Sequence, residues 1–213
     1  MLANGPLMAS TIGDLSVTLV VAPFGEEFVT SDNPVFKYNM YCEGNVDFGV
    51  TGTKCQGLQL FFPVSSGLCL CLFDQAVYKL NRIGHRLVNA TADDVAQINR
   101  LQLMSAQENI YFTGGDAGAT LSQLAKSVKA TREIDRPRIT RAIEDEDSKS
   151  ELLHQYWPMP QLGLQLSFLA VRSQHQAVPV VERIRRVRAR YERSRTTENQ
   201  DGTWRRFTVE SRH

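Results

Sequence analysis

No apolar run in this sequence reaches the ~18 residues from which a membrane-crossing helix is read. The opening stretch, MLANGPLMASTIGDL, has neither a basic region nor a sustained apolar one. A secretory signal needs both, so the expectation is a soluble, cytoplasmic protein. Cysteine is scarce, with Cys42, Cys55, Cys69 and Cys71 in 213 residues and no Cys-x-x-Cys pair. The four histidines, His85, His154, His175 and His213, fall at no ligand spacing. A structural zinc site therefore has no ligand set, and no metal is assigned. Cys69 and Cys71 stand two apart and share one face of a strand, which suits small core hydrophobes better than half a metal site. A Gly-x-Ser-x-Gly elbow, a His-Glu-x-x-His pair and internal repeats are also missing. GVTGTKC, residues 49–55, lacks both the four-residue gap before Gly-Lys and the hydroxyl residue after the lysine. It reads as a glycine-rich loop and not as a phosphate cradle.

What is present is uneven. The total charge is +1, yet residues 1–131 carry −3, residues 132–151 carry −2 and residues 152–213 carry +6. Twelve of the 20 residues in 132–151 are charged, the composition of a solvated linker or insertion. The apolar content of 42% is ordinary for a globular chain long enough to build one core with an appendage.

LSVTLVVA (15–22) is a β-branched run that predicts a strand, and Pro23-Phe24-Gly25 predicts a tight turn into a second strand over Glu26 to Thr30. Residues 37–57 read as a loop with a short strand. GLQLFFPV (57–64) and GLCLCLFD (67–74) read as buried strands. TADDVAQINRLQLMSAQENIYF predicts a helix opened by a capping box, Thr91 with Asp94, and stopped by Gly114-Gly115. Val95, Ile98 and Leu101 form its apolar side. Asn99, Gln102, Ala106 and Asn109 recur at spacings of three and four along an adjacent stripe. A second helix is expected over Leu121 to Arg132, a strand over 163–172, and a basic helix from Pro179 that docks through Ile184, Val187 and Tyr191.

Two features could carry chemistry. Asp32, in FVTSDNPVF, and Asp74 both end apparent strands. Such carboxylates can hold a divalent cation or share acid-base work, and they also serve as plain turn formers. Seven arginines lie between Arg183 and Arg195, among them Arg185, Arg186, Arg188 and Arg190. They suit phosphate-backbone binding by nucleic acid, or else the solvated side of an amphipathic helix. Buried amides need partners, so Asn99, Gln102 and Asn109 are expected to approach the Ser31-Asp32-Asn33 turn, with Thr30 supporting it.

Three pieces fall in order: FVTSDNPVF (28–36), LFFPVSSGLCLCLFD (60–74) and VAQINRLQLMSAQENIYF (95–112). Together they resemble the C-terminal half of the family known as domain of unknown function 4238. Thr30, Ser31, Asp32 and Pro34, then Pro63 and Ser65, then Asn99, Gln102, Ala106 and Tyr111 carry the resemblance. PVSSG departs from it by lacking a second proline, and nothing before Leu15 matches the His-x-Val-Pro segment and helical half with which such proteins usually begin. The resemblance implies an N-terminal half that another chain would supply. It implies no activity, cofactor or other partner.

The expected fold is α+β, a mostly antiparallel sheet from residues 15–74 and 163–172, covered by two helices, with a basic C-terminal helix. Residues 15–131 form the family-like core, 132–160 a linker or insertion, and 161–213 a strand with the arginine-rich end. The functional expectation is a non-catalytic remnant or interaction module. The alternative is a metal-dependent hydrolase, acting on nucleic acid, with Asp32 at its site.

Overall fold

The computed structural model describes residues 10–44, 49–81, 86–114, 121–126, 128, 138–143, 151–156, 159–184 and 186–192, with backbone alone for 138–143, 151–156 and 192. Strand β1 spans Ser16–Val21, β2 Thr30–Ser31, β3 Phe36–Tyr38, β4 Gln59–Ser65, β5 Leu68–Phe73, β6 Tyr78–Leu80 and β7 Leu87–Asn89. Helix α1 spans Ala92–Ser105, followed by β8 Ile110–Tyr111, β9 Arg138–Ile143, β10 Glu151–Tyr156 and β11 Leu169–Val171. Three short helical turns close the described chain: α2 Ser173–Gln176, α3 Val180–Arg183 and α4 Ala189–Glu192.

The main sheet has the order β3-β4-β5-β1-β7. Every pairing in it is antiparallel except β1 with β7. The fold is thus α+β with a mostly antiparallel sheet. Strands β4 and β5 form the hairpin that their apolar runs predict, with a register irregularity between Pro63 and Ser65. Proline has no N–H to give a ladder, so a slip beside Pro63 near the strand's end costs little.

Several elements differ from expectation. Residues 26–29 form no strand, and β2 pairs with β8 instead of β1. The antiparallel partner of β1 is β5, whose longer apolar run buries more surface than a two-residue strand can. Helix α1 stops at Ser105, well short of Gly114, because the backbone beyond it turns around the Asp32 carboxylate. Of the expected second helix, residues 121–126 are helical and most of the rest lies outside the described residues. In the charged stretch β9 and β10 pair as an antiparallel ribbon. The strand expected over 163–172 shortens to β11, which pairs with β6 in a ribbon of its own. The basic helix is broken into α3 and α4, with Val187 bridging to Cys55 between them.

A main core holds these pieces together, and a smaller cluster, Leu15, Leu58 and Leu60 with Ile12 and Leu72, closes the β4 end of the sheet's other face. Val20, Phe61, Cys69, Cys71 and Phe73 of the sheet meet Val95, Ile98 and Leu101 of α1, as the helical spacing predicts. Burying a side chain of this size contributes about 1.5–3 kcal/mol. Met159, Leu164, Leu166, Phe168 and Leu169 enter the main core from far down the chain. The cysteines are free, and Cys69 and Cys71 are fully buried as core residues. Burial pushes the Cys69 thiol up to about 12. The opposite face of the sheet is also apolar: Val17, Leu19 and Val21 alternate with the buried positions of β1, and Leu68, Leu70 and Leu72 with those of β5.

Candidate functional site

The Ser31-Asp32-Asn33 turn is gripped by α1 and by the backbone that follows it. Thr91 caps α1, with its hydroxyl accepting from the Asp94 N–H at 3.2 Å while the Asp94 carboxylate accepts from the Thr91 N–H at 2.7 Å. This capping box fixes the start of the helix and so aims its polar stripe. Asn99 Oδ1 accepts from the Val29 N–H at 2.9 Å, and its Nδ2 donates to the Glu27 carbonyl at 2.8 Å. Gln102, fully buried, accepts from the Ser31 hydroxyl at 3.1 Å and donates to the Pro34 carbonyl at 2.9 Å. An amide has both a donor and an acceptor, so each side chain stands in for a neighbouring strand along a stretch with almost no ladder. Ser105 adds a bond from its hydroxyl to the Asn33 carbonyl, and Asn33 Nδ2 returns one to the Ser105 carbonyl at 3.4 Å. Thr30 lies in β2, paired with Tyr111.

Asp32 is the acceptor for the segment after the helix. Its Oδ1 accepts from the Gln107 N–H at 2.8 Å, and its Oδ2 from the N–H groups of Glu108 at 2.8 Å and Asn109 at 3.1 Å. These amides, Gln107 first, hold the Asp32 carboxyl below its ordinary value. Asn109 meets the turn through its backbone and not through the predicted side-chain stripe, because the helix has already ended. Asn99 and Gln102 meet the turn as expected.

Asp74 sits in a different knot. Its Oδ2 accepts from the Gly57 N–H at 2.9 Å and its Oδ1 from the Ala76 N–H at 3.0 Å. Gly57 has φ +80°, and a Cβ there would lie 2.6 Å from Asn39 Oδ1 and 2.8 Å from Tyr41 Cβ. Only glycine fits that approach. The Tyr78 hydroxyl donates to the Gly57 carbonyl at 2.8 Å and accepts from the Tyr41 N–H at 3.0 Å. Buried Asn39 donates to the carbonyls of Val50 and Gln56. Asp32 and Asp74 therefore share no hydrogen-bond partner. Among the described residues no three His, Cys, Asp or Glu side chains gather as a metal site. Asn39 and Tyr78 escaped the sequence reading; a lone amide amid Tyr38, Met40 and Tyr41 was the available signal.

The arginines lie elsewhere. Arg188 is 1% exposed and pairs with Asp14, while also donating to the Thr11 and Thr53 carbonyls. Arg183 donates to the carbonyls of Val178, Gln176 and Tyr41, with its guanidinium 4.7 Å over the Tyr41 ring. Arg190 donates to the Ser10 carbonyl at 3.0 Å, and Arg186 faces Glu182 at 3.7 Å. Arg185 and residues 193–213 lie outside the described residues. Buried Arg188 was not foreseeable from a run of arginines that differ only by position.

The fold and this turn-gripping helix define an α+β domain in which side-chain amides replace part of a sheet. Residues 7–116 match the family model described as protein of unknown function (DUF4238), and the chain belongs to that family. The match covers the sheet, α1 and the Asp32 turn, and ends before the charged stretch. Neither a curated protein nor a solved structure matches the chain. No helix among the described residues is long and apolar enough to cross a membrane.

Proposed function

We propose that this chain works as a non-catalytic interaction module. The observation that supports this is the state of Asp32. Both of its oxygens accept backbone N–H groups, which tie the exit of α1 to the 31–33 turn. Three N–H bonds take up three of the carboxylate's about four lone pairs and hold its pKa below the ordinary value, which makes it a weak general base. Here the carboxylate is an anchor, and Thr30, Ser31, Asn33, Asn99 and Gln102 complete the grip. Asp74 anchors Gly57 in the same manner.

The competing reading is a metal-dependent hydrolase acting on nucleic acid through Asp32 and the arginines. The test is turnover by the purified chain on single-stranded and duplex DNA and RNA with Mg²⁺ or Mn²⁺. The expected outcome is no turnover, together with a lower thermal midpoint in Asp32→Asn. Metal-dependent cleavage that Asp32→Asn abolishes while circular dichroism stays native would overturn the module reading.

A further inference from the structure

We infer that the outer face of the main sheet is a docking surface for an amphipathic helix of a partner polypeptide, one whose apolar stripe is flanked by acidic residues. This rests on the interaction-module reading and names the partner's chemistry. An antiparallel sheet with one wet face turns polar residues outward. Here both faces carry apolar residues. Thr18 is buried in β1 while its neighbours Val17 and Leu19 point the other way, and Val17 is 49% exposed. Leu87, on β7 and paired with Leu19, is 52% exposed. Strands that are apolar on both faces belong to sheets covered on both sides.

An open groove of about 840 Å³ runs along this face. Val17, Leu19 and Leu70 contribute its floor, and Lys79, Arg86 and Arg172 stand along it. Among the described residues no carboxylate lines it. Toward β4 this face is closed by Ile12, Leu15 and Leu58 against Leu60 and Leu72; β5, β1 and β7, at about 4.8 Å spacing, leave a seat roughly 10 Å across, the width of one helix of about 10–12 Å. The aliphatic floor takes the apolar stripe, and the three cations complement acidic flanks. A second copy fits poorly, since a two-fold contact would bring the same basic residues together. A small anionic amphiphile fits poorly too, since such ligands are mostly enclosed by their sites and this groove is open.

The probe is an 18-residue helical peptide with leucine along one face and glutamate flanks, compared with a lysine-flanked counterpart. Fluorescence anisotropy with the full chain should show the glutamate peptide binding about tenfold tighter, with the preference fading in molar salt. Val17→Asp should abolish binding, and Arg86→Glu should erase the preference between peptides. Both positions are exposed, and an unchanged thermal midpoint verifies folding. Four results overturn the proposal: no binding of either peptide, equal binding of both, saturable binding of oleate alone, or a dimer in light scattering that Val17→Asp splits. Absence of peptide binding without turnover removes only this docking surface, whereas the metal-dependent turnover described above removes the module reading itself.

Discussion

Two irregular stretches of this chain are held down more by side chains than by ladders, and by different chemistry. Residues 27–34 are gripped by neutral amides of α1, which bond N–H and C=O groups alike. Residues 176–191 are held by guanidinium groups, which bond acceptors only, carbonyls and the Asp14 carboxylate, because arginine has no acceptor of its own. An amide grip closes on itself without charge. A guanidinium buried to 1% needs a counter-charge, and Asp14 supplies it. The same helix repeats the amide device on its other side: Gln97 accepts from the Gln165 N–H at 2.7 Å and donates to its carbonyl at 2.6 Å. Asp94 accepts from the Ser167 N–H at 2.7 Å. One helix thus clamps two distant stretches, 27–34 and 165–167, whereas the arginine strap joins the two ends of the described chain.

Breaking the strap should cost most. Arg188→Ala leaves Asp14, a quarter exposed, without its partner and takes a donor from the Thr11 and Thr53 carbonyls, so about 2–4 kcal/mol of stability should go. Urea unfolding at neutral pH checks this, and a loss under about 1 kcal/mol would show that the strap is ornamental. Asn99→Ala should cost less, about 1–3 kcal/mol, because the groups it strands, the buried Val29 N–H and the carbonyl of exposed Glu27, are neutral. Asn99→Asp sharpens the comparison. It still accepts from the Val29 N–H but turns its second oxygen on the Glu27 carbonyl, so hydrogen exchange at 27–30 should speed up nearly as much as in the alanine variant.

The smallest effect concerns acid. The Asp32 carboxyl titrates below its ordinary value of 3.8, chiefly because the Gln107 N–H favours its charged form. A depressed carboxyl contributes stability that is present above the unfolded value and is lost as pH falls through the folded one. The gap in thermal midpoint between wild type and Asp32→Asn should therefore hold at pH 5–7 and narrow below about pH 3.8. A gap that persists to pH 2 would assign the effect of the Asp32→Asn substitution to geometry and not to charge.

Much of the amide grip was legible in advance. Helical spacing alone placed Asn99 and Gln102 on one stripe beside the Val95-Ile98-Leu101 face, and buried amides require partners. The end of the helix was not legible. Gly114-Gly115 is a strong local stop, yet the Asp32 carboxylate captured three earlier amides, and a contact 75 residues apart leaves no local mark. The hairpin expected after β1 failed for a similar reason. Its turn chemistry was sound, but β5 offered β1 a longer apolar partner. Among the arginines, equal residue types at neighbouring positions took unequal roles, with Arg188 buried and Arg190 exposed.

By itself the sequence determined the local elements: the β4–β5 hairpin from its apolar runs, the capped start of α1 and that helix's buried face. These depend on periodicity and on bonds within a few residues, which the local order of residues carries by itself. The tertiary structure alone decided which strand joins β1, where α1 ends, which carboxylates become anchors and which arginine is buried. Each is a choice among partners remote in sequence, settled by which pairing buries the most apolar surface while leaving the fewest backbone groups without a bond.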